Sequence, residues 1–538
     1  MLTVLPLIPS LAQSPPTPPA SPEANPTFTV PEAPKLSPEA LLRLNQLREA
    51  DRLYQAGNRE AAIALYRQAK PNFDTSIAES SIIESKPAVT DITQLSPAAQ
   101  VYWREAEAGI ASKLEGRTFV PLKLLVEKYP EFTPGAIKLA DAYNAYGQPE
   151  NALAVLQSAS GRYPNDTDLL QRRIQALAQT ENWMEAAIAA RQFALLNPTD
   201  PAAATFTQLA DQNLQIYRKK LKQKLTGNAI GNVLTGALGY AVTGSLIGPL
   251  NSLQTSFLLL RGESALGASV AKQAKRALPI VTDEATNQYV NEIGAKLAKV
   301  AGREDFEYEF VVVEEPTLNA FALPGGKVFV NAGAIAKTQS EAELAGLLAH
   351  ELAHAVLAHG LQLMTQGSLT ANVTQFIPYV GGIAESAITF SYSRDMERQA
   401  DAVGTRLLAA AGYPADGLLN LMQTLEQEEK ADRDRGRPPE WLSSHPAGSE
   451  RQANLKQLII AGNYDRYRYE GIDRHQPIQQ KMQQQLQAAE AKAKAAKQPK
   501  IEDKRQPKAP EPVPTQTPKA QTTVPTTAPT PAPTQETP

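Results

Sequence analysis

Apolar residues recur at i, i+3 and i+4 spacing over most of the chain, and this pattern predicts an α-rich protein. The helical pattern starts at about residue 41 and includes the amphipathic run ALPIVTDEATNQYVNEIGAKLAKV. One short stretch differs, since FEYEFVVVEE is typical of a strand, LNAFALPGG of a turn and KVFVNAGAI of a second strand. A long helix, EAELAGLLAHELAHAVLAHG, follows directly. We therefore expect a multidomain fold in which a helical region precedes an α+β domain with a small sheet.

The helical region carries a repeat of 34 residues. Prolines and alanines mark it in two series: Pro130, Pro164 and Pro198, and Ala152 and Ala186. This is the tetratricopeptide period, in which each helical hairpin buries its apolar face against its neighbours. We predict tetratricopeptide-like repeats over residues 41–215, forming an α-solenoid that binds peptides or partner proteins, with an insertion or loop at 76–96. Generic helical hairpins without a binding groove are the alternative.

Residues 216–263 form an apolar, glycine-rich segment with no charged residue between Lys224 and Arg261. The segment is long enough to span a bilayer, and its GxxxG spacings are typical of close helix packing. Its asparagine, threonine and proline residues make it a weak span. Three interpretations stay open: a membrane span, a buried helical hairpin and a segment lying on a membrane surface. Two of these three interpretations place residues 226–260 in contact with a membrane.

Composition narrows the class of protein. The chain has 538 residues, a net charge of −3 and no cysteine. Its length predicts about two or three domains. The nearly balanced charge argues against nucleic acid as a partner. The lack of cysteine excludes disulfides, thiolate metal sites and a thiol nucleophile.

Both ends of the chain are rich in proline. Residues 1–12 finish in the small-x-small site Ser10-Leu11-Ala12, which predicts a signal peptide and export; an apolar end without a targeting role is the alternative. Residues 13–40 predict a Pro-rich linker, and residues 473–538 predict a helix followed by a disordered Pro/Thr tail.

The pentapeptide His350-Glu351-Leu-Ala-His354 carries the strongest chemical signal. On a helix, residues i and i+4 share a face, so both imidazoles can reach one cation. Glu351 is then placed to take a proton from a water that the metal activates. An amphipathic core helix that happens to carry histidines is the alternative. We expect one Zn²⁺ per chain.

Zinc needs a further protein ligand, and two candidates lie nearby. His359 is one residue short of the metzincin spacing and lies about half a turn from the ligand face of a continuous helix, so we predict a structural or surface histidine. Glu397 and Asp401 are four apart, on one face of a second predicted helix. They suit a metal ligand and its hydrogen-bond partner, but an exposed acidic face beside arginines is an equal alternative.

Four ordered motifs, NAFALPGGKVFVNAGAI, HELAH, SRDMERQAD and SSHPAGSERQANL, resemble one known family. They are similar to the gluzincin metalloproteases that include the CAAX prenyl endopeptidases and the HtpX-like and BepA-like bacterial proteases. The resemblance covers residues 278–458 and implies a zincin-type metalloprotease domain over 264–472. The chain departs from the family because the prenyl endopeptidases and HtpX-like members span the membrane several times, and because BepA-like proteins carry their repeats after the protease domain.

The resemblance also assigns roles to residues. It implies that zinc is bound by His350, His354 and Glu397, and that Glu351 is the general base and acid. It implies supporting roles for Asp401 and Arg451. His445 would lie near the metal, where it either stabilises the oxyanion as a catalytic residue or occupies the open position.

These features together predict a zinc endopeptidase that is exported, periplasmic or membrane-associated. We expect an edge strand around Lys327–Ala332 to hold extended substrate by backbone pairing, through Asn319, Val328, Val330 and Asn331. Such pairing depends on chain conformation, so unfolded or misfolded polypeptides are the expected substrates, recruited by the repeats for quality control. A repeat-based binding or chaperone protein with a silent or self-inhibited metal site is the alternative, and an aminopeptidase is a third interpretation.

Overall fold

In a computed structural model, the described residues are 37–73, 87–232, 261–366, 392–433, 441, 445 and 449–497. The predicted signal peptide, the Pro/Thr tail and most of the 226–260 segment lie outside them. No helix within the described ranges is both long and apolar enough to cross a bilayer. The chain divides into two compact units, Met1–Gln487 and Ala488–Pro538. The features described below belong to the first, except that the last helix, Ile472–Lys497, continues into the second.

The first two helices form a hairpin that packs on a distant part of the chain. Helix α1 (Pro38–Gln55) begins after Ser37, whose side chain caps Ala40 N, and α2 (Arg59–Ala69) begins after Asn58, which caps Ala61 N. The buried face of the hairpin contacts Ile472, about 400 residues later in the chain. The hairpin was predicted as part of the repeats, yet its apolar face is covered by the end of the predicted metalloprotease domain.

A buried ion cluster fixes this contact. Lys70 Nζ lies 2.8 Å from Asp416 Oδ1 and 2.5 Å from Glu470 Oε1, and all three side chains are at most 3% exposed. Arg466 Nε lies 3.0 Å from Asp416 Oδ2. Asp51 Oδ1 accepts a hydrogen bond of 2.8 Å from Glu470 N. Each buried charge therefore has an oppositely charged or hydrogen-bonding partner, which burial requires.

Seven helices follow, and each one packs on the next. They are α3 (Pro97–Ala111), α4 (Glu115–Lys128), α5 (Thr133–Ala145), α6 (Pro149–Arg162), α7 (Thr167–Gln179), α8 (Trp183–Leu196) and α9 (Ala203–Asn232). Helices α4, α6 and α8 begin 34 residues apart, as do α5 and α7. Consecutive helices thus stack at the spacing of the sequence repeat, while the tetratricopeptide assignment stays a prediction.

A small mixed sheet precedes the HELAH helix. Its strands are β1 (Glu309–Val313), β2 (Ala320–Leu323) and β3 (Lys327–Asn331), in the order β1-β3-β2. Strand β3 runs parallel to β1 and antiparallel to β2. The prediction of a plain turn over LNAFALPGG was wrong in part, because β2 forms there and turns back through Gly325 and Gly326, whose φ angles are +74° and +79°. The predicted second strand ends at Asn331, where α12 (Ala332–Lys337) begins.

The expectation that Lys327–Ala332 is an edge strand was also wrong. Strand β3 is the central strand, so both of its backbone edges are already paired. Val328 and Val330 are fully buried, and Asn331 donates its side-chain N–H to Thr317 Oγ1 at 2.8 Å. The position of this strand in the sheet could not be read from the sequence, since strand order depends on long-range packing. Strand β2, preceded by Asn319, has no second strand partner among the described residues.

The remaining helices surround one central helix. In chain order they are α10 (Glu263–Ala277), α11 (Glu284–Ala298), α13 (Glu341–Val356), α14 (His359–Gln366), α15 (Arg394–Ala410), α16 (Gly417–Arg433), α17 (Ser449–Ala461) and α18 (Ile472–Lys497). All 16 residues of α13 are buried. Helices α11, α15 and α16 and strand β2 pack against it. The HELAH helix is therefore the core of this part of the molecule, which is why its sequence is apolar on every side except at its two histidines and three glutamates.

Candidate metal centre

Helix α13 places the two histidines of the pentapeptide side by side. Ser340 caps its start by accepting from Glu343 N at 3.1 Å, and Glu343 Oε2 accepts from Gln339 N at 2.8 Å, an arrangement close to a capping box. From this fixed start, His350 and His354 follow on one face, with their Nε2 atoms 3.1 Å apart. Both side chains are at most 1% exposed. The predicted i, i+4 pair is thus present, with its ring nitrogens converging on one point.

Helix α15 brings a carboxylate to that point. Glu397 Oε2 lies 3.5 Å from His350 Nε2, and Glu397 Oε1 lies 3.5 Å from His354 Nε2. The two helices approach closely at Gly404, where a Cβ atom would lie 3.2 Å from the backbone of His350. Glu397 and Asp401 are 2% and 5% exposed, whereas their neighbour Arg398 is exposed. An exposed acidic face is therefore not what forms here.

A fourth donor comes from residue 445. His445 Nδ1 lies 2.9 Å from Glu397 Oε1 and 3.3 Å from His350 Nε2. His350, His354, Glu397 and His445 each offer one ligand atom, all within 4.8 Å of one another, and all four residues are buried. Burial raises the pKa of the Glu397 carboxyl. The attraction of His445 and the hydrogen bonds from the three surrounding imidazoles outweigh burial, so this pKa lies below its usual value.

Asp401 and Arg451 contact two of the four donors, His350 and Glu397. Asp401 Oδ1 lies 3.1 Å from His350 Nδ1, an ion-pair distance that favours a proton on Nδ1 and leaves Nε2 for a metal. Arg451 donates to both oxygens of Asp401, at 2.9 and 2.6 Å, and its Nη1 lies 2.7 Å from Glu397 Oε2. Burial opposes ionisation of Asp401, but the arginine and His350 lower its pKa. Hydrogen bonds to Asp401 and Glu397 likewise outweigh burial and raise the pKa of His350 to about 9.

Glu351 is held by a residue that sequence reasoning did not identify. Trp441 donates its indole N–H to Glu351 Oε1 at 3.0 Å, and its ring stacks on His445 with centroids 4.6 Å apart. Glu351 is fully buried, and its Oε2 atom has no hydrogen-bond partner among the described residues. Trp441 precedes His445 by four residues, and His445 N donates to Trp441 O at 2.8 Å, as in a helical turn. That i, i+4 spacing was the signal that could have found it.

His359, predicted as a structural or surface histidine, does not lie on the surface and is not one of the four converging donors. It is fully buried, and its Nδ1 lies 2.9 Å from His354 Nδ1. The prediction assumed one continuous helix, whereas α13 ends at Val356 and Ala358 has a φ of +58°. This left-handed residue costs roughly 1–2 kcal/mol and turns the chain back toward the site. Burial lowers the pKa of His359 to about 4. Tyr392, also missed, lies on the His354 ring with centroids 3.8 Å apart.

The donor set suits a divalent metal. Three imidazole nitrogens and one carboxylate converge within 4.8 Å, in a buried site where unpartnered polar atoms are otherwise costly. Imidazole and carboxylate are ligands that zinc and other first-row metals accept. A buried carboxylate oxygen, Glu351 Oε2, faces no described hydrogen-bond donor. The residues therefore fit a bound metal ion.

Comparisons with known proteins agree with this geometry. A profile described as Peptidase family M48 matches residues 284–459, the stretch that contains all four converging donors. The metalloprotease YcaL of Escherichia coli strain K12 is 32% identical over 182 residues, which cover 31% of this chain and 69% of that relative. The chain belongs to peptidase family M48. Its relatives include metalloproteases, and the chain is a metalloprotease of this family.

Two further relatives extend the comparison. The beta-barrel assembly-enhancing protease of Escherichia coli strain K12 is 23% identical over 278 residues, covering 46% of this chain and 56% of the relative. The mitochondrial metalloendopeptidase OMA1 of Schizosaccharomyces pombe is 27% identical over 217 residues, covering 39% of this chain and 63% of the relative. For the beta-barrel assembly-enhancing proteases, the chain thus spans about half of their length.

Proposed function

We propose that this M48 protein is a zinc-dependent endopeptidase that cleaves unfolded or misfolded polypeptides outside the cytoplasm, in protein quality control. The observation that carries the proposal is the buried group of three imidazoles and one carboxylate, with the Glu351 carboxylate in the same site. The relatives' names, a beta-barrel assembly-enhancing protease and a mitochondrial metalloendopeptidase, support a proteolytic role. The predicted signal peptide supports export.

In this proposal His350, His354 and Glu397 hold the zinc ion. When bound, zinc would lower the pKa of a water molecule towards about 7 and polarise the scissile carbonyl. Glu351 accepts the proton of the attacking water on Oε2, because Oε1 already accepts a hydrogen bond from Trp441. Glu351 then donates this proton to the leaving amine. Asp401 and Arg451 keep His350 and Glu397 in place.

We assign substrate pairing to β2 instead of β3. Strand β2 packs on α13, is paired with β3 on one side only within the described ranges, and begins beside Asn319, whose Oδ1 is buried without a described partner. An extended polypeptide would add to this edge through backbone hydrogen bonds and so reach the metal. Val328, Val330 and Asn331 then support the sheet from its centre and do not touch substrate.

The helical repeats are proposed to recruit the substrate or a partner protein. Helices α8 and α9 share a hydrophobic core with α13, through Met184, Ile188 and Leu214 among others. Gln362 Nε2 also donates to Glu185 Oε1 at 3.0 Å, which links α14 to α8. A polypeptide held on these helices would therefore lie close to the metal centre. We keep the proposed division into repeats at 41–215 and protease at 264–472, except that α1 and α2 pack with the latter.

Cleavage of a denatured substrate tests the proposal. Purified full-length protein loaded with zinc is incubated with reduced casein and compared with Glu351→Gln, which keeps all proposed ligands. We expect internal cuts with the wild type, loss of cleavage in E351Q and one zinc per chain in both. Equal inertness of the two proteins at full zinc occupancy would contradict an endopeptidase. Stepwise removal of N-terminal residues would indicate an aminopeptidase instead.

A second candidate is a binding protein whose metal site is held shut by His445. The close approach of His445 to Glu397 and His350 favours it, because a catalytic zinc site keeps one position open. The substitution His445→Ala separates the two proposals. Loss of activity would indicate that His445 acts in catalysis, and a gain would indicate that it closes the site.

A further inference from the structure

The break between α13 and α14 connects His359 to the metal centre through hydrogen bonds. His359 Nδ1 lies 2.9 Å from His354 Nδ1, and His359 Nε2 lies 3.0 Å from Gln399 Oε1. Gln399 belongs to α15, two residues after Glu397. One chain of hydrogen bonds therefore runs from His354 through His359 to Gln399. It ends on the helix that carries the proposed third ligand, Glu397.

The direction of these hydrogen bonds follows from chemistry. An amide oxygen only accepts, so His359 Nε2 must carry the proton that Gln399 Oε1 receives. A neutral imidazole has one N–H, which leaves His359 Nδ1 as an acceptor. His354 Nδ1 must then be the donor, and the lone pair of His354 Nε2 points toward His350 and Glu397. That is the tautomer a metal ligand requires.

We propose that His359, with Gln399 behind it, is a positioning residue that fixes His354 in its metal-binding tautomer and orientation. The proposal rests on the proposed zinc site and deepens it. On the other histidine, the ionised Asp401 lies at ion-pair distance, 3.1 Å from His350 Nδ1. The two histidines are thus supported differently, one by a carboxylate and the other by a neutral imidazole relay.

The backbone supports this role. Ala358, in the left-handed region at φ +58°, stands immediately before His359. Without that turn, helix geometry would carry residue 359 about half a turn away from the ligand face. Strained backbone residues cluster at functional sites. Here the strained turn places His359 next to His354, and His359 is the only described hydrogen-bond partner of His354 Nδ1.

The test measures zinc affinity of the full-length chain by competition with a chromophoric chelator, at one pH. His359→Phe keeps a buried ring and removes the acceptor, and we expect zinc to bind about 10- to 100-fold more weakly. His359→Asn keeps an acceptor near the Nδ1 position and is expected to restore most of the affinity. The absorption spectrum of the cobalt(II)-loaded protein should change in H359F and return toward wild type in H359N.

His475 provides the matched control. It is equally buried and also hydrogen-bonded on both nitrogens, to Tyr289 OH at 2.7 Å and Thr338 O at 2.9 Å, but it is not part of the metal-binding group. His475→Phe should lower thermal stability and leave zinc affinity unchanged. If H359F is unfolded by circular dichroism, Gln399→Leu takes its place, and it is expected to weaken zinc binding several-fold.

Two results would overturn the proposal. H359F or Q399L that binds zinc as tightly as wild type would show that the relay does not position His354. H359N as weak as H359F would show that packing, and not the acceptor, is what matters. If the wild type itself fails to bind zinc, both the proposed function and the positioning role are wrong. If the wild type binds zinc and the variants bind it equally well, only the positioning role is wrong.

Discussion

Trp441 holds one oxygen of Glu351 through a hydrogen bond of 3.0 Å, while the other oxygen has no hydrogen-bond partner among the described residues. The tryptophan also stacks on His445, so a single side chain touches both the proposed base and the fourth donor. A carboxylate that must accept a proton at a defined position depends on such fixing.

Trp441→Phe is therefore expected to lower kcat about tenfold on a fluorogenic peptide, with KM changed less than about twofold. The phenyl ring keeps part of the stacking surface and loses the donor, and the control below accounts for the smaller ring. Trp183→Phe is the control, since its indole nitrogen is buried without a described partner in α8, and its kcat should match wild type. An unchanged kcat in W441F would rule out a role for the hydrogen bond.

Arg451→Met leaves two buried carboxylates, Asp401 and Glu397, without their cation. We expect it to lower the free energy of unfolding by about 3–5 kcal/mol in urea titrations. Arg398→Met removes an exposed pair with Asp395 on the same helix and should cost less than about 1 kcal/mol. Similar losses in the two variants would contradict the structural role of Arg451.

Lys70→Met removes the cation shared by Asp416 and Glu470. Because both carboxylates stay buried, the expected loss of unfolding free energy is again about 3–5 kcal/mol. Lys430→Met, which breaks an exposed pair with Glu426, serves as the comparison and should change stability by less than about 1 kcal/mol. Limited proteolysis should also cut K70M within α1 or α2 sooner than wild type.

We expect the free energy of unfolding to fall in acid because His475 is buried. Burial lowers its pKa from 6.5 to about 4, so the folded protein resists a proton that the unfolded chain accepts. The stability it supports is complete above pH 6.5 and falls as pH drops towards 4. Between pH 7.5 and 5.0, the wild type should lose about 2 kcal/mol more than His475→Asn. Parallel pH curves for the two proteins would refute this assignment.

The parts of the site that sequence predicted are those that local geometry determines. A helix places residues i and i+4 on one face, so the spacing alone pairs His350 with His354 and Glu397 with Asp401. The family resemblance added His445 and Arg451, and the structure places both beside those pairs.

The parts that were missed depend on contacts between distant segments. The position of β3 in the sheet is set by which strands flank it, and Trp441 reaches Glu351 across 90 residues. His359 was misplaced because alanine is a strong helix former, and nothing in the local sequence marks Ala358 as the residue that leaves the helix.

The buried cluster around Lys70 has a consequence for the order of events during synthesis. Asp51 accepts hydrogen bonds from the backbone of Glu470 and Ile472, 419 and 421 residues further on. A growing chain therefore makes the HELAH helix well before its first hairpin can pack against Glu470 and Ile472. A chain cut before residue 470 would lack the partners of Asp51, so the packing of the first hairpin is completed only after translation has passed residue 472.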